Sequence, residues 1–373
     1  MSIAYLIDHL ESNYPRDQNY IIKFMMEQGH DIMVFTSLDR KFSKYDKLFF
    51  PNAEILRVPI IFKIGGANIY GGVNIYISWR ILSKILNKYD IVHSFTFFTF
   101  SSLLGIAMKS SAKIIRSEIG PPEGATFKKA QGIYSILTKL YKNTYSYFTA
   151  YNDLEVKSLE LLGINREQII LLPPMIDYIK FANLEKRSKS SNINIGMIAR
   201  LSPEKGVHRT ILIIKEVLKN IQASNLPFKF FLAGRVDKSD YALKILKMLR
   251  NMLGSSFIYL GEVAPPYDFY RLVDIVLVPS YFETGAITVL EAMAAGKIVL
   301  GSNIYPINLY ISHGKNGFLF DRSLDAAKTI LDILSGIINI KSITKEAQNY
   351  AKRHDYKIVC RQLEDIYKRV SSK

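Results

Sequence analysis

The chain has 373 residues, 49% hydrophobic and 22% charged, with six histidines and a single cysteine, Cys360. Its length corresponds to about two domains, and its composition excludes a disordered chain, a collagen-like repeat and a coiled-coil rod. One cysteine excludes an internal disulfide framework and an all-cysteine metal site, and six scattered histidines give no zinc spacing. The formal charge of +16 is uneven: residues 1–176 hold 20 basic and 15 acidic residues, residues 177–373 hold 29 and 18. A basic second half suits nucleic acid, anionic lipid or phosphorylated small molecules, and charge alone does not choose among them. No run reaches the roughly 20 apolar residues of a membrane span, and no basic start leads into a long apolar stretch. The expectation is a cytoplasmic protein.

Short apolar runs alternate with amphipathic stretches. In the first half, strands are predicted at Ile3–Ile7, Ile32–Thr36, Ile55–Val58, Ile91–Ser94, Lys113–Arg116, Tyr147–Ala150 and Ile169–Leu172. Helical patterns cover Gln18–Glu27 and Ser78–Asn87. The Gly- and Tyr-rich stretch Ile64–Tyr76 reads as a flexible loop. In the second half, strands are predicted at Asn194–Ala199, Phe228–Ala233, Phe257–Leu260, Asp274–Val278, Ile298–Gly301 and Gly317–Phe320. Helical patterns there cover Val207–Ile221, Tyr241–Leu253 and Thr288–Ala295. Two such series predict an α/β protein with two doubly wound, Rossmann-like domains.

The proline pair in Leu172–Lys180 reads as the connector between them, and Glu185–Asn194 as a polar loop. The domains are expected at residues 1–175 and 176–352. The pattern Ile343–Val370 is long for one helix, and His354-Asp355 divides it. Its last part, 353–373, is expected to cross back to the first domain.

Two stretches carry chemistry. In Gly196-Met-Ile-Ala-Arg200-Leu-Ser-Pro-Glu-Lys205-Gly206, a buried strand ends and a loop follows with one Arg and one Lys. Parallel sheets bind ligands beyond the carboxyl ends of their strands. The guanidinium fork and the ammonium point charge together match a diphosphate. Taken alone, the loop also fits a solvated basic turn. The second stretch, Pro279 to Gly296, places Glu283 in a loop, small residues at a helix entry and Glu291 inside the helix. The amides of Gly285, Ala286 and Ile287, with the positive end of the helix dipole, suit a phosphate. The two carboxylates can reach a sugar hydroxyl on one side and a ribose hydroxyl on the other.

The set GxxARLxPEKG, E-x7-E and AMAAGKIVLGSN resembles the retaining glycosyltransferase family 4 of the GT-B fold. FFLAGR, LGEV, DIVLVPS, HGKNGFLF and EDIYKRV follow the family's order. In the first domain the resemblance rests on Gln28-Gly-His30, Asp90-Ile-Val-His93 and the connector. The resemblance implies two domains facing a central cleft, an acceptor-binding first domain and a nucleotide-sugar-binding second. It implies transfer of a sugar from a nucleoside-diphosphate sugar to a glycan or lipid-linked acceptor, with retention and without a metal or other cofactor. Carried over, Arg200 and Lys205 hold the diphosphate and stabilise it as it leaves. Glu283 lies against the donor sugar and Glu291 on the ribose. Gly261 and Val263 lie near the nucleobase.

The sequence departs from the family in three places. The region of a common Gly-Gly turn reads Asn13-Tyr-Pro-Arg16-Asp17-Gln, where Arg16 offers a side-chain charge instead. The common E-x-F-G string is Glu283-Thr-Gly285-Ala286, in which Ala286 keeps its amide. A common histidine after the fifth strand is missing from Ile115–Gly120, leaving Glu118 as the nearest polar group. With His93, at the end of a strand, Glu118 and Arg16 are the acceptor-side candidates. His208 and His313 read as scaffold.

Residues 124–152 carry Lys128, Lys129, Lys139 and Lys142 and no acidic residue, with apolar residues at helical spacing. This fits peripheral contact with anionic membrane, or a helix packed on the sheet with solvated lysines. Competing readings are a nucleotide-sugar hydrolase or epimerase on the same fold, a catalytically dead sugar-binding scaffold and a nucleic-acid-binding protein. The last would show affinity falling steeply with salt. No recognisable reading module is present, so nucleic acid is not expected as a partner.

Overall fold

The computed structural model describes residues 1–7, 17–37, 50–58, 62–64, 67–69, 84–95, 113–117, 142–185, 193–221, 228–236 and 240–372. The chain forms two units, one of Met1–Pro174 with Tyr356–Lys373, the other of Met175–Asp355.

The first unit is built on a parallel seven-stranded sheet. Its strands are β1 (Ser2–Ile7), β2 (Asp31–Ser37), β3 (Glu54–Val58), β6 (Ile91–Ser94), β7 (Lys113–Ser117), β8 (Tyr147–Ala150) and β9 (Ile169–Leu171). Their order is β3-β2-β1-β6-β7-β8-β9. Phe62–Ile64 (β4) and Ala67–Ile69 (β5) pair antiparallel. Of the loop expected over Ile64–Tyr76, Ile64 ends β4 and Ala67–Ile69 form β5, while residues 65–66 and 70–76 lie outside the described residues. Leu6, Val92, Ile114 and Phe148 bury their side chains in one core. A parallel sheet covered on both faces needs such near-continuous apolar strands.

In this unit the helix α1 (Asp17–Glu27) packs on the C-terminal helix Tyr356–Ser371. Tyr20 stacks on Tyr356 at 4.9 Å. His30 Nε2 lies 3.1 Å from Glu364 Oε1. The C-terminal helix is amphipathic, burying Val359, Cys360, Leu363, Tyr367 and Val370. It follows a break at Lys352–His354, where the sequence pattern also divides.

The second unit holds a six-stranded parallel sheet of β10 (Ile195–Ile198), β11 (Phe230–Ala233), β12 (Phe257–Gly261), β13 (Ile275–Val278), β14 (Ile298–Ser302) and β15 (Phe318–Phe320). Alternate residues face opposite cores. Ile195, Phe230, Leu232, Ile275, Leu277 and Leu300 enter one, and Phe231, Val276, Val278 and Val299 the other. This period of two on a sheet buried on both faces explains the unbroken apolar runs. The strand order is β12-β11-β10-β13-β14-β15. The winding reverses between β10 and β13, so the loops after these two strands flank the switch point.

The connector differs from its expectation. A short helix, Tyr178–Ala182, starts inside it, because Asp177 caps it by accepting from the Lys180 amide. Ile176 donates its amide to the His354 carbonyl and bridges to Asp355.

His93 is fully buried in the first unit. One ring nitrogen, Nδ1, bonds the Tyr367 hydroxyl, and Nε2 lies 2.7 Å from Ser117 Oγ. Burial, then the Arg116 charge, pushes its pKa down to about 3. The acceptor-side expectation for His93 is therefore corrected: both nitrogens hold the fold, linking β6 to β7 and to the C-terminal helix.

Removing the Tyr367 hydroxyl should leave buried Nδ1 unpaired. Tyr367→Phe is expected to lower stability by about 1–3 kcal/mol in urea unfolding. An unchanged midpoint and slope would remove that bond from the account.

Candidate active site

The loop after β10 runs from Ala199 to Gly206. A single 3-10 turn at Pro203–Lys205 ends at Gly206, whose φ of 67° is left-handed. Gly206 opens the next helix, α4 (Val207–Lys219), counting described helices in chain order after α1, Asp153–Leu161 (α2) and Tyr178–Ala182 (α3). A Cβ on Gly206 would stand 2.0 Å from the Pro279 carbonyl oxygen. The loop after β10 thus touches the exit of β13 where only glycine fits, and the Tyr281 amide donates to the Glu204 carbonyl at 2.9 Å.

That approach sets the charged pair at the switch point. Lys205 Nζ donates to Glu283 Oε1 at 2.9 Å, with the side chains 23% and 13% exposed. Ser280 Oγ donates to the same oxygen at 2.7 Å. Glu283 Oε2 makes no hydrogen bond among the described residues. Arg200, on the same loop, is half exposed and pairs with Glu204 at 2.9 Å. An exposed pair of this kind is worth about 0–1 kcal/mol, so Arg200 can leave it for a phosphate at small cost.

The helix Ile287–Ala294 (α7) begins beside Glu283, after α5 (Asp240–Leu253) and α6 (Tyr267–Leu272). Its N-cap, Ala286, has φ 43° and ψ 41°, the left-handed region. An alanine there costs on the order of 1 kcal/mol. No side chain caps this helix. The Val289 amide donates to the Ala286 carbonyl at 2.9 Å, which leaves the amides of Ile287 and Thr288 for water or a ligand, and the positive end of the dipole favours an anion.

Glu291 lies in the second turn of α7 and is buried. The Tyr270 hydroxyl of α6 donates to its Oε2 at 2.9 Å. Burial pushes the Glu291 carboxyl from the usual 4.5 up to about 8. Gly261 ends β12 at the sheet edge, where its carbonyl accepts from the Gly234 amide at 2.7 Å. Val263 follows it in the next loop, half buried. Lys205 and Glu283 are thus in contact, and Arg200, Gly285, Ala286, Ile287 and Glu291 stand on the two loops and the helix at the switch point. Arg16 and Glu118 lie outside the described residues.

Sequence reasoning missed Arg209. Its guanidinium is buried and donates to the Pro279 carbonyl at 3.2 Å, Ser302 Oγ at 2.8 Å and the Asp321 carbonyl at 2.8 Å. It also lies over the Tyr281 and Phe320 rings. This cation fastens the exits of β13, β14 and β15 to the start of α4. Its place four residues after Lys205 was the available signal. His208 bonds Tyr241 and Tyr281 and stacks on the Tyr281 ring, as scaffold. Among the described residues no cluster of three His, Cys, Asp or Glu side chains is arranged to hold a metal ion.

Residues 181–354 match the family model described as Glycosyl transferases group 1. The match runs through nearly all of the second unit, Met175–Asp355. The glycosyltransferase likeness extends to sequence relatives. The chain is 29% identical over 143 residues to lipopolysaccharide 1,2-N-acetylglucosaminetransferase of Salmonella typhimurium, covering 36% of each. It is 28% identical over 214 residues to trehalose synthase of Thermococcus litoralis, covering 51% of this chain and 49% of that one. These matches span about a third to a half of the relatives' own length. The HepE protein of Anabaena, solved in complex with UDP-glucose, superposes with a TM-score of 0.76 over 99% of both chains at 17% identity. The fold is that of the GT-B glycosyltransferases.

Two outcomes are expected. Gly206→Ala should lower stability by about 3 kcal/mol or more, because its Cβ meets backbone; Gly336→Ala, in open space at φ 73°, should cost about 1 kcal/mol. Equal losses in denaturant unfolding would contradict the close approach. Glu291 has a raised folded pKa, so its burial carries no penalty below the unfolded value, and the penalty grows as pH rises to about 8. Glu291→Gln should therefore stabilise the unliganded protein by a few kcal/mol at pH 8 and by little at pH 4. A pH-independent difference would contradict it.

Proposed function

We propose that the protein transfers a sugar from a nucleoside-diphosphate sugar to a glycan or lipid-linked acceptor, with retention at the anomeric carbon and without a metal. The observation that carries this reading is the 2.9 Å contact of Lys205 with Glu283 at the switch point of a group 1 glycosyltransferase unit.

The chemistry follows from the charges. As the glycosidic bond to the diphosphate breaks, negative charge grows on the leaving phosphate. Fixed positive groups aimed at that charge lower the barrier. Lys205 is held by Glu283, Arg200 is free to turn, and the uncapped start of α7 adds backbone amides. Glu283 Oε1 is engaged by Lys205 and Ser280, so Oε2 is the oxygen for a donor-sugar hydroxyl. Glu291 takes the ribose, and Gly261 and Val263 border the nucleobase. HepE's complex with UDP-glucose supports a uridine nucleotide as the first donor to test. Acceptor recognition is assigned to the first unit. The lysines of residues 124–142 supply contact with anionic membrane at the cytoplasmic face; of these residues only Lys142 is described. Among the described residues no helix is long and apolar enough to cross a membrane.

A thermal-shift titration with UDP, GDP, ADP and CMP, with and without EDTA, tests the donor site. One diphosphate at about a hundred times its Kd should stabilise by roughly 2.7 kcal/mol. The shift should be insensitive to EDTA and lost in Arg200→Ala/Lys205→Ala. In a transfer assay, Lys205→Ala and Glu283→Ala should each slow turnover by about a hundredfold or more. Unchanged rates in both would sink the site assignment. Full-rate donor cleavage without acceptor would point to a hydrolase.

A further inference from the structure

We propose that Tyr270 is a positioning residue of the donor site, holding one oxygen of Glu291 so that the other faces the ribose of the nucleotide. The proposal rests on the reading of Glu291 as the ribose acceptor.

Tyr270 is fully buried on α6. Its ring is fixed between Phe269 and Phe181, each meeting it edge to face at 5.3 and 5.5 Å. Burial pushes its phenol pKa up, so the hydroxyl keeps its proton and donates. That proton has two acceptors within reach, Glu291 Oε2 at 2.9 Å and the Thr288 carbonyl at 3.5 Å. The shorter contact takes it. Both acceptors lie on α7, one turn apart, so the ring sets the helix and the carboxyl together.

Glu291 has no other hydrogen bond among the described residues. A residue 5% exposed whose carboxyl has one oxygen engaged and one unengaged is an incomplete arrangement. A buried polar group of this kind is normally completed by a partner. A donor hydroxyl from a ribose fits it. A glutamate side chain has three rotatable bonds, and freezing them in advance removes an entropic cost from nucleotide binding. Tyr270 does this without touching the ligand.

The test measures Kd by calorimetry at pH 9, where the Glu291 carboxyl is ionised and can only accept, for UDP and 2′-deoxy-UDP, with the ADP and GDP pairs run in parallel. It uses the full chain, Tyr270→Phe and Glu291→Gln. The unaltered protein should prefer the ribonucleotide by about tenfold. Glu291→Gln should remove most of that preference. Tyr270→Phe keeps the ring packing and should also reduce the preference to within about threefold, while affinity for the deoxy form stays near that of the unaltered protein. A full preference in Tyr270→Phe, with a lost one in Glu291→Gln, overturns the proposal and leaves the ribose reading standing. Loss of both nucleotide forms together in Tyr270→Phe makes the residue a packing element and also overturns it. No preference in the unaltered protein, a preference retained in Glu291→Gln, or no binding by any ribonucleotide overturns the ribose reading and this proposal with it.

Discussion

The second unit depends on a close approach of two loops. Gly206 lies against the Pro279 carbonyl where a methyl group would stand 2.0 Å away. This brings the turn after β10 to the exit of β13, across the point where the strand order reverses. Lys205 precedes that glycine and Glu283 follows that proline by four residues. Their 2.9 Å contact is therefore a consequence of backbone packing. A bulkier residue at position 206 would separate the loops and disperse the charges with them.

Around this contact the charges are arranged in layers of different burial. Arg200 and Glu204 form an exposed pair of small net worth, which leaves the guanidinium available. Lys205 and Glu283 are largely enclosed, and Ser280 shares the carboxylate oxygen. Arg209 is deeper still, held by three neutral acceptors and two aromatic faces. Among the described residues no carboxylate pairs with it. It adds to the positive field at the strand ends while clamping them. The result is a local field that favours an anion.

Glu291 shows the opposite arrangement. Burial holds its carboxyl well above the usual range, with one tyrosine hydroxyl as partner. No cation pairs with it among the described residues. The first unit uses burial differently. His93, Ser117, Thr149 and Tyr367 form a closed set of hydrogen bonds that ties the C-terminal helix to the sheet.

The sequence alone determined the two parallel sheets, because a strand buried on both faces must be apolar along its whole length. It also singled out Arg200, Lys205 and Glu283, which stand in loops after parallel strands where ligands bind, and Glu291 in the helix that follows. It pointed to small residues at the start of α7. What it could not supply were the partners across long separations. Arg209 reaches residues 70 to 112 positions away, and Tyr270 meets Glu291 only when α6 and α7 pack together. His93 looked like a group at a strand end, but its neighbours Ser117 and Tyr367 enclose it. Periodicity reports which face of an element is buried; which polar group waits beneath that face is decided by the packing of elements distant in the chain.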